Sequence, residues 1–396
     1  MRCFFSYDED GGNRRKKQMG NYYVKPRIYM EREGLREILK GVTRAFIVTD
    51  KFMHESGKVS YLTDVLDQMG IAYEIFSEVK PDPDIATVTK GIGLMTDFKP
   101  QALLALGGGS PIDCAKAINY LSAREGFSEK CKFVAIPTTS GTGTEVSRFS
   151  VISDPEKSAK YPLVADELLP DDAILDAELT KTVPPSITAD TGIDVLTHAI
   201  EAFVSKNAND FTDAAAEKAI KLVRSNLLKA YKTPDDLNAR QHMHHASCLA
   251  GMAFSNAGLG LNHGMAHTLG GHFHIPHGRA NAILLPYVMA YNCGCHDKLT
   301  VHAKRYARIA RLARLEGSSI RQSAFNVIRS TKQLIKQLNI PTSIAEAGVS
   351  REDFMAALDE MVNAAMNDAC TATNPRDCTP EEVRDLFLAA YEGRRI

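Results

Sequence analysis

Ala102-Leu103-Leu104-Ala105-Leu106-Gly107-Gly108-Gly109-Ser110-Pro111-Ile112-Asp113 decides the fold. An apolar run of strand length meets three glycines, and a helix start follows. Ser110 suits the N-cap, Pro111 the first helical position, and Asp113 is placed to bond back to the cap. Glycines let a phosphate approach the backbone, and the free N–H groups and dipole of a helix start favour an anion. The stretch therefore reads as a diphosphate cradle or as a tight structural turn. It is neither the GxGxxG fingerprint nor a Walker loop, because no GKS or GKT follows.

Around this stretch, short β-branched runs alternate with amphipathic ones. Strands are expected at Arg44–Thr49, Ala72–Phe76, Ala102–Leu106, Lys132–Ile136 and Ala173–Asp176, with helices such as Tyr61–Met69 and Ile85–Phe98 between them. Alternation at this interval predicts βαβ units and a parallel sheet over residues 21–185. Tyr22–Met30 is expected to add an antiparallel edge pair. Beyond Pro184-Pro185 the β signal fades. Helices are expected over 188–205, 210–231, 236–254, 261–271, 281–293, 297–314, 319–337, 351–364 and 380–391. This gives an α/β domain over 21–185 and an all-helical domain over 186–396, with a ligand cleft between them. Residues 1–20, with Gly11-Gly12-Asn13-Arg14-Arg15-Lys16-Lys17, read as a flexible solvated arm.

Composition excludes several function classes. Among 396 residues, 47 Lys plus Arg balance 48 Asp plus Glu, a net charge of -1. Such a chain has no global attraction for nucleic acid or anionic membrane. No apolar run approaches the roughly 18–20 residues of a membrane span. Cys3-Phe4-Phe5 is too short for the apolar core of an export signal. The eight cysteines are scattered, which favours a reduced, cytoplasmic setting over a disulfide scaffold. Cys293-Gly-Cys295 is a weak metal signal and reads as ordinary thiols.

Three further features carry chemistry. Ile136-Pro137-Thr138-Thr139-Ser140-Gly141-Thr142-Gly143-Thr144-Glu145 offers small donors on a permissive backbone, suited to a nucleotide or to capping its own helix. Asp50 ends a strand, where a carboxylate can accept hydrogen bonds from the ribose hydroxyls of an adenosine. Asp194 and His198 stand at i and i+4 on one helix face, as do His263 and His267, and His277 follows Pro276 at a helix start. One carboxylate and several imidazoles suit a divalent first-row metal. His242, His244, His245, His272 and His274 remain alternatives to these histidines.

Together the segments 107–118, 136–147, 190–205 and 260–286, with Thr373-Asn374-Pro375-Arg376, resemble the iron-containing, or group III, alcohol dehydrogenase family. The likeness spans about residues 22–393. Within the family it is strongest to the propanol dehydrogenases of propanediol-utilising bacterial microcompartments, through Lys160-Tyr161-Pro162-Leu163, Ser186–His198 and Asp210-Phe211-Thr212-Asp213. The resemblance implies a Rossmann-like dinucleotide-binding domain followed by an all-helical metal-binding domain, the fold shared with dehydroquinate synthase. It implies Asp194, His198, His263 and His277 as metal ligands and Gly108, Gly109 and Ser110 as the pyrophosphate loop. Thr138, Thr139, Thr142, Ser147 and Lys160 match positions that touch the dinucleotide, Asp50 the ribose-binding acid that goes with NAD, and His267 a histidine near the reacting centre. Arg279 departs from the family pattern, and residues 1–20 have no counterpart in it.

The implied activity is NAD(H)-linked reduction of a short-chain aldehyde to the primary alcohol. Lactaldehyde, 1,3-propanediol or glycerol dehydrogenases, a dehydroquinate-synthase-like lyase and a non-catalytic packing protein are the alternatives. The resemblance implies Fe(II), although the Irving–Williams order gives the same donors a tighter hold on zinc. It also implies a homodimer or higher homo-oligomer, and a place in the cytoplasm or within a microcompartment among its shell and cargo proteins.

Overall fold

The computed structural model describes residues 21–155, 159–295 and 298–394, with the side chains of 159 and 160 outside the description. The arm expected over 1–20 therefore lies outside the described residues. The first part of the chain runs β1 (Arg27–Tyr29), α1 (Gly34–Ile38), β2 (Arg44–Asp50), α2 (Lys51–Glu55), α3 (Ser60–Met69), β3 (Ala72–Val79), α4 (Ile85–Phe98) and β4 (Ala102–Gly107). It continues through α5 (Gly109–Arg124), β5 (Lys132–Pro137), β6 (Phe149–Asp154), β7 (Ala159–Val164) and β8 (Asp172–Ile174). Six strands form one parallel sheet in the order β1-β8-β5-β4-β2-β3.

The unbroken apolar run of β4 follows from its place in the sheet. Side chains alternate between the two faces, and both faces are covered. Leu104 and Leu106 pack with Leu35, Leu62 and Leu66 of α1 and α3. Leu103 and Ala105 pack with Met95 of α4 and Ile112, Ala115 and Ile118 of α5. The direction of winding reverses between β2 and β4, whose carboxyl ends carry Asp50 and Gly107. Ligands of open α/β sheets bind at such a switch point.

The rest is helical: α6 (Pro185–Val204), α7 (Asp210–Lys232), α8 (Leu237–Ala257), α9 (Leu261–Phe273) and α10 (His277–Cys293). Then come α11 (Ala303–Leu312), α12 (Ile320–Gln337), α13 (Arg351–Asn367) and α14 (Pro380–Glu392). Ile193, Leu196, Ile200 and Phe203 of α6 share a core with Ile220 and Val223 of α7 and Ala246 and Ala250 of α8. A second core joins Leu261 and Met265 of α9 to Leu284, Phe354 and Phe387. The architecture is a Rossmann-like α/β part followed by an all-helical part. Among the described residues no helix is long and apolar enough to cross a membrane. The seven described cysteines are unpaired.

Four local expectations are corrected. Tyr22–Met30 makes no antiparallel pair: β1 has three residues and lies parallel to β8. Upstream, the side-chain amide of Asn256 takes over the Tyr23 backbone, accepting from its N–H at 2.8 Å and donating to its carbonyl at 3.2 Å. The hairpin β6–β7 was not expected, since Pro162 interrupts its second strand. Ser110 is not an N-cap, because α5 begins at Gly109, two residues earlier than expected, with Gly108 at the cap and no side-chain cap bond. Asp113 turns away instead, its Oδ1 accepting from Thr144 Oγ1 at 2.6 Å and its Oδ2 from the Val151 N–H at 3.2 Å. Finally, α10 starts at His277 and α11 at Ala303, a few residues from the expected limits.

Candidate metal centre and coenzyme cleft

Three helices bring four donors together. Asp194 and His198 lie in the middle of α6, His263 in the first turn of α9, and His277 opens α10. One ligand atom from each lies within 4.8 Å of all the others. Asp194 Oδ1 is 3.8 Å from His263 Nε2 and 3.6 Å from His277 Nε2, and Asp194 Oδ2 is 3.9 Å from His198 Nε2. A tetrahedral ion with bonds of about 2.1 Å needs donors about 3.4 Å apart, so small adjustments close the cage. Asp194, His198 and His263 are buried, whereas the His277 side chain keeps 44% exposure.

The protonation states fit a cation. Burial lowers the pKa of His198 and, more strongly, that of His263, which its histidine neighbours lower further. Neutral imidazoles offer the lone pairs a metal takes. The Nδ1 of His263 bonds to Glu201 Oε2, which leaves Nε2 to face the cage. Glu201 also accepts from the Asn262 N–H at 2.8 Å, and burial pushes its carboxyl up to about 8. In its ionised form, which the backbone N–H groups of Asn262 and His263 and a cation in the cage favour, this carboxylate accepts from Nδ1 and so fixes tautomer and ring orientation. The residues present therefore fit a divalent metal by donor type, spacing and charge.

Sequence reasoning missed Glu201 and Asn281. Glu201 follows Asp194 and His198 at i+7 and i+3, on the same face of α6, and that periodicity was readable. Asn281 follows His277 at i+4. Its Nδ2 lies 2.8 Å from Asp194 Oδ1, 3.2 Å from His263 Nε2 and 3.1 Å from His277 Nε2. Its Oδ1 accepts from Asn262 Nδ2 at 2.9 Å. Nothing in a lone asparagine on an apolar helix announces this role.

His267 sits beside the cage and stays exposed. Its ring stacks on that of His277 at 5.4 Å between centroids, and its Nδ1 bonds to Asp368 Oδ2 at 2.8 Å. Burial opposes ionisation of Asp368, but His267 and the Cys370 N–H hold its carboxyl below the ordinary value. His267, Asp368 and Cys370 also come within 4.8 Å of one another. Because the His267–Asp368 pair is already hydrogen bonded, the group reads as an oriented histidine. His274 caps α9 in a left-handed conformation and lies outside the cage, as do His242, His244, His245 and His272.

Of the positions expected to touch a coenzyme, Asp50, Gly108, Gly109, Ser110, Thr138, Thr139 and Thr142 lie at the carboxyl end of the sheet. Asp50 caps α2, its Oδ1 accepting from the Met53 N–H at 2.9 Å. Its Oδ2 would lie 3.4 Å from a Cβ placed on Gly107. Gly107 has φ +154°, and a Cβ there would meet Pro111 Cγ at 2.5 Å, so this turn requires glycine. With no side-chain cap on α5, its first N–H groups remain for an anion. Gly108 and Gly109 face Thr139 and Thr142, whose atoms a Cβ on either glycine would reach at 3.4 and 2.8 Å. Thr138 is buried and holds the turn, its N–H donating to the Gly107 carbonyl at 2.9 Å. Ser147 is buried too and points away: its Oγ accepts from Lys116 Nζ at 3.2 Å. Lys160 stands in β7, and its side chain lies outside the described residues.

One loop joins the two sites. Thr142 touches Gly109, and Gly141 packs so tightly on α6 that a Cβ would lie 2.7 Å from the Thr191 Cβ. Thr191 is one turn before Asp194. The glycine turn and the helix that carries Asp194 therefore flank the same two loop residues.

Two family profiles, together with known proteins and solved structures, match the chain. Residues 26–177 match the family profile "Iron-containing alcohol dehydrogenase", and residues 188–391 match "Fe-containing alcohol dehydrogenase family, C-terminal". The chain is 47% identical to 1-propanol dehydrogenase PduQ of Salmonella typhimurium over 93% of its own length and 99% of that protein. It is 42% identical to the NADPH-dependent butanol dehydrogenase of Clostridium saccharobutylicum, over 93% and 97%. A crystal structure of 1,3-propanediol oxidoreductase is similar with a TM-score of 0.88 at 34% identity, covering 94% of this chain and 100% of that one.

Proposed function

Because the chain belongs to the iron-containing alcohol dehydrogenase family, we propose that it is an NAD(H)-linked, metal-dependent dehydrogenase that reduces propionaldehyde or a similar short-chain aldehyde to the primary alcohol. The observation that carries this reading is the four-donor cage, joined through one loop to an anion-receptive helix start. Asp194, His198, His263 and His277 would hold a divalent ion, which would supply Lewis acidity, and a bound reduced nicotinamide would supply the hydride. The protein's own residues do the rest.

The first N–H groups of α5 bind the pyrophosphate, and Asp50 accepts from the ribose hydroxyls. The loop Thr138–Thr142 orients the dinucleotide toward α6. Glu201 keeps the His263 Nε2 lone pair aimed into the cage. His267, oriented by Asp368, carries the alcohol proton between the substrate oxygen and water. The small alcohols in the names of the relatives support a short substrate, and the microcompartment likeness supports a role among shell and cargo proteins. The division into two domains near residue 185, and a homo-oligomeric state, belong to the same reading.

A second reading concerns the coenzyme, since one relative is NADPH-dependent by name. Asp50 favours NAD: a ribose phosphate of charge about -1.5 to -2 would face its carboxylate. The test is consumption of NADH and of NADPH with propionaldehyde after loading with Fe(II) or Zn(II). Saturable turnover with NADH preferred supports the proposal. Loaded protein that turns over no aldehyde of two to five carbons would overturn it.

A further inference from the structure

The first three residues of α10 dock on one turn of α6, each in a different way. His277 brings its Nε2 to 3.6 Å from Asp194 Oδ1. Gly278 lies so close that a Cβ would meet the Asp190 carbonyl oxygen at 2.1 Å. Arg279 closes a two-point fork on Asp190, with Nε at 3.2 Å from Oδ1 and an Nη at 3.0 Å from Oδ2. Asp190 stands one turn before Asp194 on α6.

We propose that the Arg279–Asp190 fork is a positioning device for the metal ligand His277. This rests on the reading of the four donors as a metal site. Asp194, His198 and His263 are held by burial, but His277 is exposed and is the first residue of its helix, with Pro276 giving no side-chain cap. The His277 ring stacks on His267 and its Nε2 meets Asn281 Nδ2, but where its backbone stands follows from how the start of α10 sits on α6. A planar guanidinium on a carboxylate fixes both distance and angle, which a lysine ammonium cannot do. A cation in the first turn of a helix also opposes the helix dipole. Its placement there is explained by a partner across the interface rather than by α10 itself.

The alternative account of the pair is pure charge. Without Arg279, the Asp190 carboxylate would add negative potential beside Asp194 and attract the ion. The two accounts predict opposite signs.

The test measures the Zn(II) dissociation constant against a chromophoric chelator, and the ligand field of the Co(II) form by absorption. The proteins are the full chain and its variants Arg279→Met, Arg279→Lys and His277→Ala, with the two Arg279 changes also placed on His277→Ala. The positioning role predicts that Arg279→Met weakens zinc binding by roughly 10–100-fold, the usual effect of losing an outer partner of a metal site. Arg279→Lys should not restore it, and the Co(II) band should lose intensity toward that of His277→Ala. On the His277→Ala background neither change should weaken zinc further, because the fork acts through that ligand. Unchanged or tighter zinc binding in Arg279→Met overturns the proposal, and so does an equal loss on the His277→Ala background. If Arg279→Met fails to fold, Arg279→Lys carries the same comparison. If His277→Ala alone binds zinc like the parent, the metal assignment itself has failed, and the result is distinct from failure of the fork.

Discussion

At the residue scale, each donor of the cage has a separable effect. Asp194→Ala or His263→Ala removes a donor rather than its support. Metal affinity should then fall beyond the roughly 10–100-fold lost with an outer partner, with elemental analysis as the measure. His274→Ala should retain full metal, because His274 caps α9 outside the cage. Asp50 sets a second, independent test. In Asp50→Gly the kcat/KM ratio for NADPH over NADH should rise by at least about tenfold, equivalent to roughly 1.4 kcal/mol. An unchanged ratio in folded, metal-loaded protein would show that the carboxylate does not face the ribose.

At the element scale, the glycine turn is the sharpest target. Gly107→Ala would place a Cβ 2.5 Å from Pro111 Cγ at a φ of +154°, so β4 or the start of α5 must move. KM for NADH should rise about tenfold or more while zinc affinity stays near that of the parent, since the cage lies on other helices. Loss of both together would mean that the sheet had been disturbed as a whole. This turn also shows what the sequence could reveal. The β4 run, the three glycines and the i, i+4 pairs of α6 and α9 were legible because each is a local pattern enforced by a period or a steric need. Ser110 as a cap was not borne out. Local chemistry permits that bond, but Asp113 finds Thr144 and the Val151 backbone, both remote in the chain. Glu201 was readable by its spacing and was overlooked. Asn281 and the hairpin β6–β7 depend on neighbours brought in by folding, which no local pattern encodes.

At the scale of the whole molecule, buried charge sits where the helical part meets the sheet part. Lys116 Nζ donates to Thr144 Oγ1 at 2.9 Å and to the carbonyls of Ser147 and Phe149, each at 2.7 Å, and burial lowers its pKa to about 8. Glu145 is buried beside it, in the turn that packs on α8, and burial pushes its carboxyl up to about 7 from an ordinary 4.5. The folded protein thus holds this proton more tightly than the unfolded chain. Its contribution is complete below about pH 4.5 and is lost as pH rises to about 7, a loss on the order of 3 kcal/mol. Glu145→Gln keeps the neutral form throughout. Urea unfolding at several pH values should show the variant gaining on the parent across that window. Glu201 titrates in both proteins and drops out of the difference. A gap independent of pH would mean that Glu145 ionises normally.

In the Thr138–Thr142 loop, Thr142 faces Gly109 and its neighbour Gly141 packs on Thr191 of α6. On the function proposed above, a loop in contact with both sites would make the protein a two-ligand system with reciprocal energetics. If zinc tightens NADH by some factor, NADH must tighten zinc by the same factor, because the two routes around the binding cycle end at one state. Titration calorimetry of each ligand with and without the other measures that factor twice. The protein's grip on its metal would then depend on the concentration of NADH.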